Sequence, residues 1–153
     1  MTEEVIFVDS SVFLMFFIDG VDIFEKLSGT LVTSTNVIEE VTYVLIKERA
    51  KDVTGISKHY DLLTYLREYP DTVKQVADEV ISDVSNLLSA LKITVLAPAS
   101  YSEMFDVVRN YGLLPNDALI VAICRYYGIK KIATFDEDFK RVDFLEIVKL
   151  NDS

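Results

Sequence analysis

Four acidic residues stand in sequence contexts that place a carboxylate where a strand ends or a helix begins. They are Asp9 in VIFVDSSVF, Glu40 in NVIEEVTYVL, Asp117 in LPNDALIVAIC and Asp136 in IATFDEDF. Carboxylates that converge in a fold repel one another and raise one another's pKa unless a cation neutralises them. Hard oxygen ligands select Mg²⁺ or Mn²⁺ over zinc. The four acids therefore predict metal-assisted chemistry on an anionic substrate.

Each of these acids also has an ordinary structural explanation. An Asp after a strand commonly caps a helix, and an acid such as Asp117 near a helix start is stabilised by the helix dipole. Glu39 and Glu40 could form a solvated helix face, and residues 136–138 an acidic turn. Because the chain contains 25 Asp and Glu residues, only the combination of four acids at one edge of one sheet supports the prediction.

Short apolar runs alternate with helical patterns along the chain, which predicts an α/β fold with a mostly parallel sheet covered on both sides. The predicted strands are Val5–Val8, Thr30–Thr33, Ile93–Leu96, Lys131–Thr134 and Glu146–Leu150. In such sheets ligands bind beyond the carboxyl ends of the strands. Asp9 and Asp136 each follow a strand, and Glu40 and Asp117 lie near helix starts. All four acids are therefore expected at that edge.

Capping residues predict where several helices begin. Ser10 or Ser11 is expected to cap the helix that follows the first strand. Two capping boxes are predicted, one formed by Thr72 with Gln75 and the other by Ser100 with Glu103.

The composition predicts one globular domain, residues 1–153, and limits its chemistry. Half of the 153 residues are apolar, enough for a substantial core. One cysteine excludes an intramolecular disulfide and a Cys-based zinc site. One histidine, His59, gives no basis for a Ser–His pair or a His-rich metal site. Neither GxxxxGK[ST] nor GxGxxG occurs, so a nucleotide-cradling loop is unsupported.

The charge and hydropathy patterns bear on partners and location. A net charge of −10 argues against a broad electropositive surface for nucleic acid, so metal ions, a few local Lys or Arg residues, or a partner subunit must attract such a substrate. The longest early apolar run, Val12–Ile18, is far too short to span a bilayer. Glu3 and Glu4 stand where a secretion signal needs basic residues. We expect a cytoplasmic protein with no membrane partner.

The order of the four acidic motifs resembles the PIN domain, the metal-dependent nuclease fold of VapC-type toxins. The resemblance covers nearly the whole chain. It rests on Asp9-Ser10-Ser11 after an apolar strand, Glu40 before the apolar helix from Val41, Asp117-Ala118 opening another apolar helix, and Thr134-Phe135-Asp136-Glu137-Asp138-Phe139. The first motif is weak alone, whereas the third and fourth in this order are fairly specific.

The resemblance implies a three-layer α/β/α fold, a site and an activity. Asp9, Glu40, Asp117 and Asp136 would be the catalytic acids and would bind Mg²⁺ or Mn²⁺, with Asp138 as an additional acid. Ser11 and Thr134 would support them by hydrogen bonding. The implied reaction is hydrolysis of an RNA phosphodiester bond by water, without a protein nucleophile. The implied partners are an antitoxin protein and a second copy of the chain in a homodimer.

Several assignments stay open at the level of sequence. Glu39 and Glu40 are neighbours that differ by about 100° around a helix, so only one can point into the cleft. We favour Glu40 because it directly precedes Val41, as in the family. The helical segment 51–90 is longer than compact family members suggest, and it could be core, an arm, a dimer surface or an antitoxin groove.

The RNA contacts and the biological context are equally open. Basic residues flank the fourth motif and could meet the RNA backbone or simply solvate the surface; they are Lys130, Lys131, Lys140 and Arg141. Two alternatives to a toxin remain: a PIN-type nuclease of RNA processing or quality control, and a scaffold that binds RNA or protein without cutting.

Overall fold

Five strands and six α-helices alternate along the part of the chain that the computed structural model describes, residues 4–150. The strands are Val5–Val8 (β1), Thr30–Ser34 (β2), Thr94–Leu96 (β3), Lys131–Ala133 (β4) and Glu146–Ile147 (β5). The helices are Ser10–Asp19 (α1), Thr35–Thr54 (α2), His59–Glu68 (α3), Pro70–Ala90 (α4), Tyr101–Tyr111 (α5) and Pro115–Tyr127 (α6). Short 3₁₀ helices cover Phe24–Lys26 and Glu137–Arg141. Glu3, one of the two acids at the start of the sequence, lies outside the described residues.

All five strands pair in parallel, in the order β3-β2-β1-β4-β5. Ile6, Phe7 and Val8 of the central strand are all buried, as expected for a strand covered on both faces. The chain moves from β1 outward through β2 to β3 and then returns to the other side of β1 through β4 and β5. The predicted α/β fold is confirmed, and the strand order places a topological switch point between β1 and β4.

Strand register aligns the carboxyl ends of β1 and β4. Val8 is paired with Ala133, and the Asp9 N–H donates a hydrogen bond to the Ala133 carbonyl at 3.0 Å. On the other side of β1, the buried Thr33 hydroxyl donates to the Val8 carbonyl at 2.8 Å. Asp9 and Thr134 therefore start adjacent loops at the switch point.

The segment 51–90 contributes to the core through α4. Val76, Val80 and Val84 form the buried stripe of α4, and Arg49 of α2 pairs with Glu79 at 2.7 Å and Asp83 at 2.6 Å. The shorter α3 buries Leu62. Within residues 4–150 no helix has the combined length and apolar character needed to cross a membrane.

Helix starts agree with the predictions in one place and differ in two. Ser100 and Glu103 form the predicted capping box of α5. The prediction for Thr72 and Gln75 is wrong, because α4 begins at Pro70, whose fixed φ and missing N–H suit the first helical position. The predicted cap of α1 at Ser10 or Ser11 is also wrong, because Asp9 holds that position and accepts the Ser10 N–H.

The contact between Gly29 and β1 gives a stability prediction. Gly29 has φ of +151°, and an added Cβ would lie 2.5 Å from the Glu4 carbonyl oxygen. We expect Gly29→Ala to lower the free energy of unfolding by about 2–4 kcal/mol in urea denaturation, from backbone strain and this clash. Gly20→Ala is the control, since Gly20 has φ of +69° with open space around it. It should lose only about 1–2 kcal/mol. Equal losses would contradict the clash.

Candidate active site at the switch point

Asp9 is held at the carboxyl end of β1 by hydrogen bonds from the start of α1 and from the loop after β4. Its side chain is buried, with one oxygen accepting the Ser10 N–H at 2.7 Å and the other accepting the Thr134 hydroxyl at 2.7 Å. The Ser11 hydroxyl lies 3.4 Å from the second oxygen and accepts the Phe135 N–H at 3.0 Å. Ser11 and Thr134 thus connect α1 to the loop after β4 and fix the orientation of the Asp9 carboxylate.

The pKa of Asp9 is raised above its ordinary value. Burial is the largest cause, and the charge of Asp136 adds to it. The hydrogen bonds from Thr134, Ser10 and Ser11 act in the opposite direction, because they stabilise the ionised form. The site therefore holds a carboxylate in an environment that resists its charge.

Three further acids converge beside Asp9. Asp117 lies in the first turn of α6, Asp136 follows β4, and Asp138 lies in the 3₁₀ helix Glu137–Arg141. One carboxylate oxygen from each lies within 4.8 Å of the others. The Asp138 N–H donates to Asp136 Oδ1 at 2.9 Å, and the Asp136 N–H donates to the Thr134 hydroxyl at 2.9 Å. Backbone donors therefore hold the turn that presents two of the three acids.

The pKa of Asp117 depends on the other three acids singled out in the sequence. Its pKa is raised to about 7, first by partial burial and then by the charges of Asp136 and Asp9. A hydrogen bond with Asp136 and the charge of Glu40 raise it further. The fold has thus brought acids from four separate parts of the chain close enough for the other three to disfavour the ionisation of Asp117.

Glu40 is positioned by two asparagines that the sequence analysis did not select. Asn116 donates its amide to Glu40 Oε2 at 3.2 Å, and Asn36 donates to Asn116 Oδ1 at 3.1 Å. Ser34 in turn donates its hydroxyl to Asn36. The neighbour Glu39 is exposed. Only their positions in the sequence could have indicated these two residues, because Asn116 directly precedes Asp117 and Asn36 lies one helical turn before Glu40.

The four basic residues singled out in the sequence fall into two groups. Lys130 and Lys131 lie at the amino end of β4, whereas the acids lie beyond its carboxyl end. Lys131 pairs with Glu4 at 2.7 Å and with Glu146 at 3.7 Å. Lys140 and Arg141 lie in the 3₁₀ helix that also carries Asp138. Position in the sequence next to β4 therefore does not bring Lys130 and Lys131 to the acidic site.

The donor set suits a hard divalent cation. Asp117, Asp136 and Asp138 offer only carboxylate oxygens, the ligands that Mg²⁺ and Mn²⁺ prefer. A cation would also relieve the repulsion that raises the pKa of Asp117. A phosphate-bearing substrate needs such a cation, because the acids alone would repel it.

Comparison with known proteins agrees with this geometry. Residues 6–145 match the model of the PIN domain. The chain is 32% identical over 156 residues to ribonuclease VapC2 of Methanocaldococcus jannaschii, which covers 98% of this chain and 97% of the relative. It is also 32% identical over 159 residues to ribonuclease VapC6 of the same organism, covering 97% and 99%.

A solved structure supports the fold. This chain superimposes on the crystal structure of VapBC2 from Rickettsia felis, which is bound to a promoter DNA fragment, with a TM-score of 0.61 at 16% identity. The match covers 94% of this chain and 97% of that chain. Together with the family match over most of the chain, these relatives settle the assignment: the protein belongs to the PIN-domain family.

Proposed function

We propose that this chain is a Mg²⁺- or Mn²⁺-dependent endoribonuclease and the toxin of a toxin–antitoxin pair. The observation that supports it best is the convergence of four acids from distant parts of the sequence. Partial burial, followed by the charges of the other three acids, raises the pKa of Asp117 to about 7. A chain without a cation to bind would gain stability by losing these charges. The names of its two relatives, both called ribonuclease VapC, indicate RNA as the substrate.

Asp9, Glu40, Asp117 and Asp136 would hold the metal, with Asp138 as an additional ligand. Bound there, a divalent cation supplies polarisation of the phosphodiester and a more acidic water. Ser11 and Thr134 keep the Asp9 carboxylate oriented, and the fixed turn after β4 keeps Asp136 and Asp138 together.

Water is the nucleophile that fits this site. Burial and the nearby charge of Asp9 raise the pKa of Cys124 to about 12, so its thiol stays protonated and has no access to substrate. His59 is exposed at the start of α3 and makes none of the hydrogen bonds described above. Neither residue offers a covalent route to phosphodiester cleavage.

Partners and organisation follow from the same assignment. The family match over residues 6–145 supports a single PIN-like domain across residues 1–153. The Rickettsia felis neighbour is a complex of toxin and antitoxin, and an antitoxin for this chain would present Arg or Lys to the acidic cleft. A homodimer and a cytoplasmic location, where RNA substrates are found, remain part of the proposal.

Cleavage of RNA tests the proposal directly. A pool of structured and single-stranded RNA should be cut in Mg²⁺ or Mn²⁺ and stay intact in EDTA. Asp117→Asn and Glu40→Gln should each reduce cleavage at least about 100-fold, because each removes a charge that binds the metal. Glu39→Gln is the matched control, since that side chain is exposed and should leave the rate unchanged. Metal-dependent binding of RNA without any cleavage would favour the scaffold alternative.

The raised pKa of Asp117 predicts a pH-dependent stability. Between about pH 4 and pH 7 the folded protein keeps a proton on Asp117 that the unfolded chain releases, so stability falls as the pH rises through this window. In EDTA at pH 8, Asp117→Asn should therefore raise the free energy of unfolding by about 1–3 kcal/mol, after allowance for partial exposure. Near pH 4 the two proteins should unfold at the same temperature.

A bound metal ion should reverse this order of stability and make the wild type more stable than Asp117→Asn. Mn²⁺ at pH 8 should raise the melting temperature of the wild type by mass action, and much less that of Asp117→Asn. Asp78→Asn, at an exposed acid on α4, is the control for the change in net charge and should match the wild type in both conditions. A metal-free Asp117→Asn protein less stable than the wild type would contradict the raised pKa.

The hydrogen bond from Asn116 predicts a positioning effect on Glu40. Asn116→Ala removes that donor, and we expect Mn²⁺ affinity and kcat/KM each to fall about 3- to 10-fold, because an exposed hydrogen bond contributes roughly 0.5–1.5 kcal/mol. Titration calorimetry gives the affinity without reference to cleavage. Asn110→Ala, at an exposed position on α5, is the control. Combining Asn116→Ala with Glu40→Gln should add no further loss, and an additive loss would contradict action through Glu40.

A further inference from the structure

A cavity of about 490 Å³ opens directly beside the acids. It lies between the end of β4, the 3₁₀ helix Glu137–Arg141 and the chain that follows β5. Asp136 and Thr134 line both this cavity and the acidic site, so the two are continuous. Its volume falls within the roughly 300–1,000 Å³ of small-molecule sites. The cavity is therefore large enough for one nucleotide of a substrate whose phosphodiester lies at the acids.

The charged residues of the 3₁₀ helix Glu137–Arg141 lie on two sides, one facing the cavity and the other facing the acids. Residues three apart lie on the same side of a 3₁₀ helix. Glu137 and Lys140 pair at 3.2 Å and both line the cavity. Asp138 and Arg141 pair at 3.5 Å on the other side, where Asp138 joins the acids and Arg141 donates to the Gly112 carbonyl at 3.0 Å. Lys140 thus belongs to the cavity rather than to the acidic group.

The cavity differs in charge from the acids beside it. Lys140 and Lys149 balance Asp136 and Glu137 among its lining residues, in a chain whose net charge is −10. A backbone phosphate can approach this balanced surface, whereas the neighbouring acids repel it until a metal is bound.

Phe135 provides an aromatic surface in the cavity. Its side chain is partly buried and packs against the core, and Phe135 is among the residues that line the cavity, together with Ile147 and Val148. Its backbone N–H donates to the Ser11 hydroxyl, which fixes the main chain of Phe135 relative to Asp9. Bases stack on aromatic side chains regardless of sequence, because every base has a π face.

We propose that this cavity is a nucleotide subsite for the residue next to the scissile phosphodiester. The base packs against Phe135 and the sugar–phosphate lies toward Lys140. The inference rests on the proposed function and adds to it a binding site for the RNA strand beside the acidic site.

Adenosine 5′-monophosphate is a suitable probe because it has no internucleotide bond to be cut. In Mg²⁺ buffer, titration into ¹⁵N-labelled protein should shift the amide signals of Phe135, Lys140 and Val148. Phe135→Leu keeps an apolar side chain but removes the ring, and should weaken binding about 10-fold, as expected for loss of base stacking. Phe135→Tyr keeps the ring and should bind within about 2-fold of the wild type.

Two controls isolate the base contact. Phe105→Leu, at an aromatic ring of α5 that is 48% exposed, should bind the probe as the wild type does. Ribose 5-phosphate lacks the base, so Phe135→Leu should not change its affinity. Melting temperatures of all variants show whether the fold is retained.

The outcomes separate this inference from the proposed nuclease. Equal affinity of Phe135→Leu and wild type for the mononucleotide, or shifts confined to other parts of the surface, would overturn the subsite. RNA cleavage in the same preparations would show that the nuclease assignment stands even then. Binding in the cavity without cleavage of any RNA would support the subsite and count against the nuclease.

Discussion

The parallel pairing of β1 with β4 determines where the acids of this protein lie. A single hydrogen bond from the Asp9 N–H to the Ala133 carbonyl ends that pairing and places Asp9 next to Thr134. The other acids of the site lie close to this end of β1. The turn after β4 adds Asp136 and Asp138, and α6 and α2 bring Asp117 and Glu40 from the same edge of the sheet. Strand order is therefore the structural basis of the chemistry.

The acids oppose the stability of the fold that brings them together. Burial and mutual repulsion raise the pKa of both Asp9 and Asp117. Hydrogen bonds from Thr134, Ser10 and Ser11 to Asp9 offset part of this cost, because they stabilise its ionised carboxylate. The rest of this cost remains in the free protein. A divalent cation bound among these acids, as proposed above, would relieve it.

The sequence predicted the framework and the edge of the sheet at which the four acids lie, because both follow from local rules. Apolar runs mark the five strands, and an acid that follows a parallel strand must lie at its carboxyl end. Boundaries were less accurate, since Thr72 looked like a cap although Pro70 already begins the helix. The sequence could not show that Glu40 rather than Glu39 contacts Asn116, because this contact depends on the packing of α2.

Other features depend on contacts between distant segments and could not be read from one sequence. The bridge from Asn36 to Asn116 joins two helices 80 positions apart. Lys130 and Lys131 adjoin the fourth motif in sequence yet lie across the sheet from its acid, because an entire strand separates them. The cavity beside Asp136 lies between the segment after β4 and the chain after β5, and neither local sequence indicates it.

The position of β4 between β1 and β5 also has a consequence for the timing of activity. Asp9 and Thr134 are 125 positions apart, so the acids meet only after most of the chain has been made and folded. Closing so long a loop is slow compared with forming local helices. During synthesis the first three strands can assemble with their helices while the site is still incomplete. A cell producing this protein is therefore exposed to its chemistry only once β4 has entered the sheet.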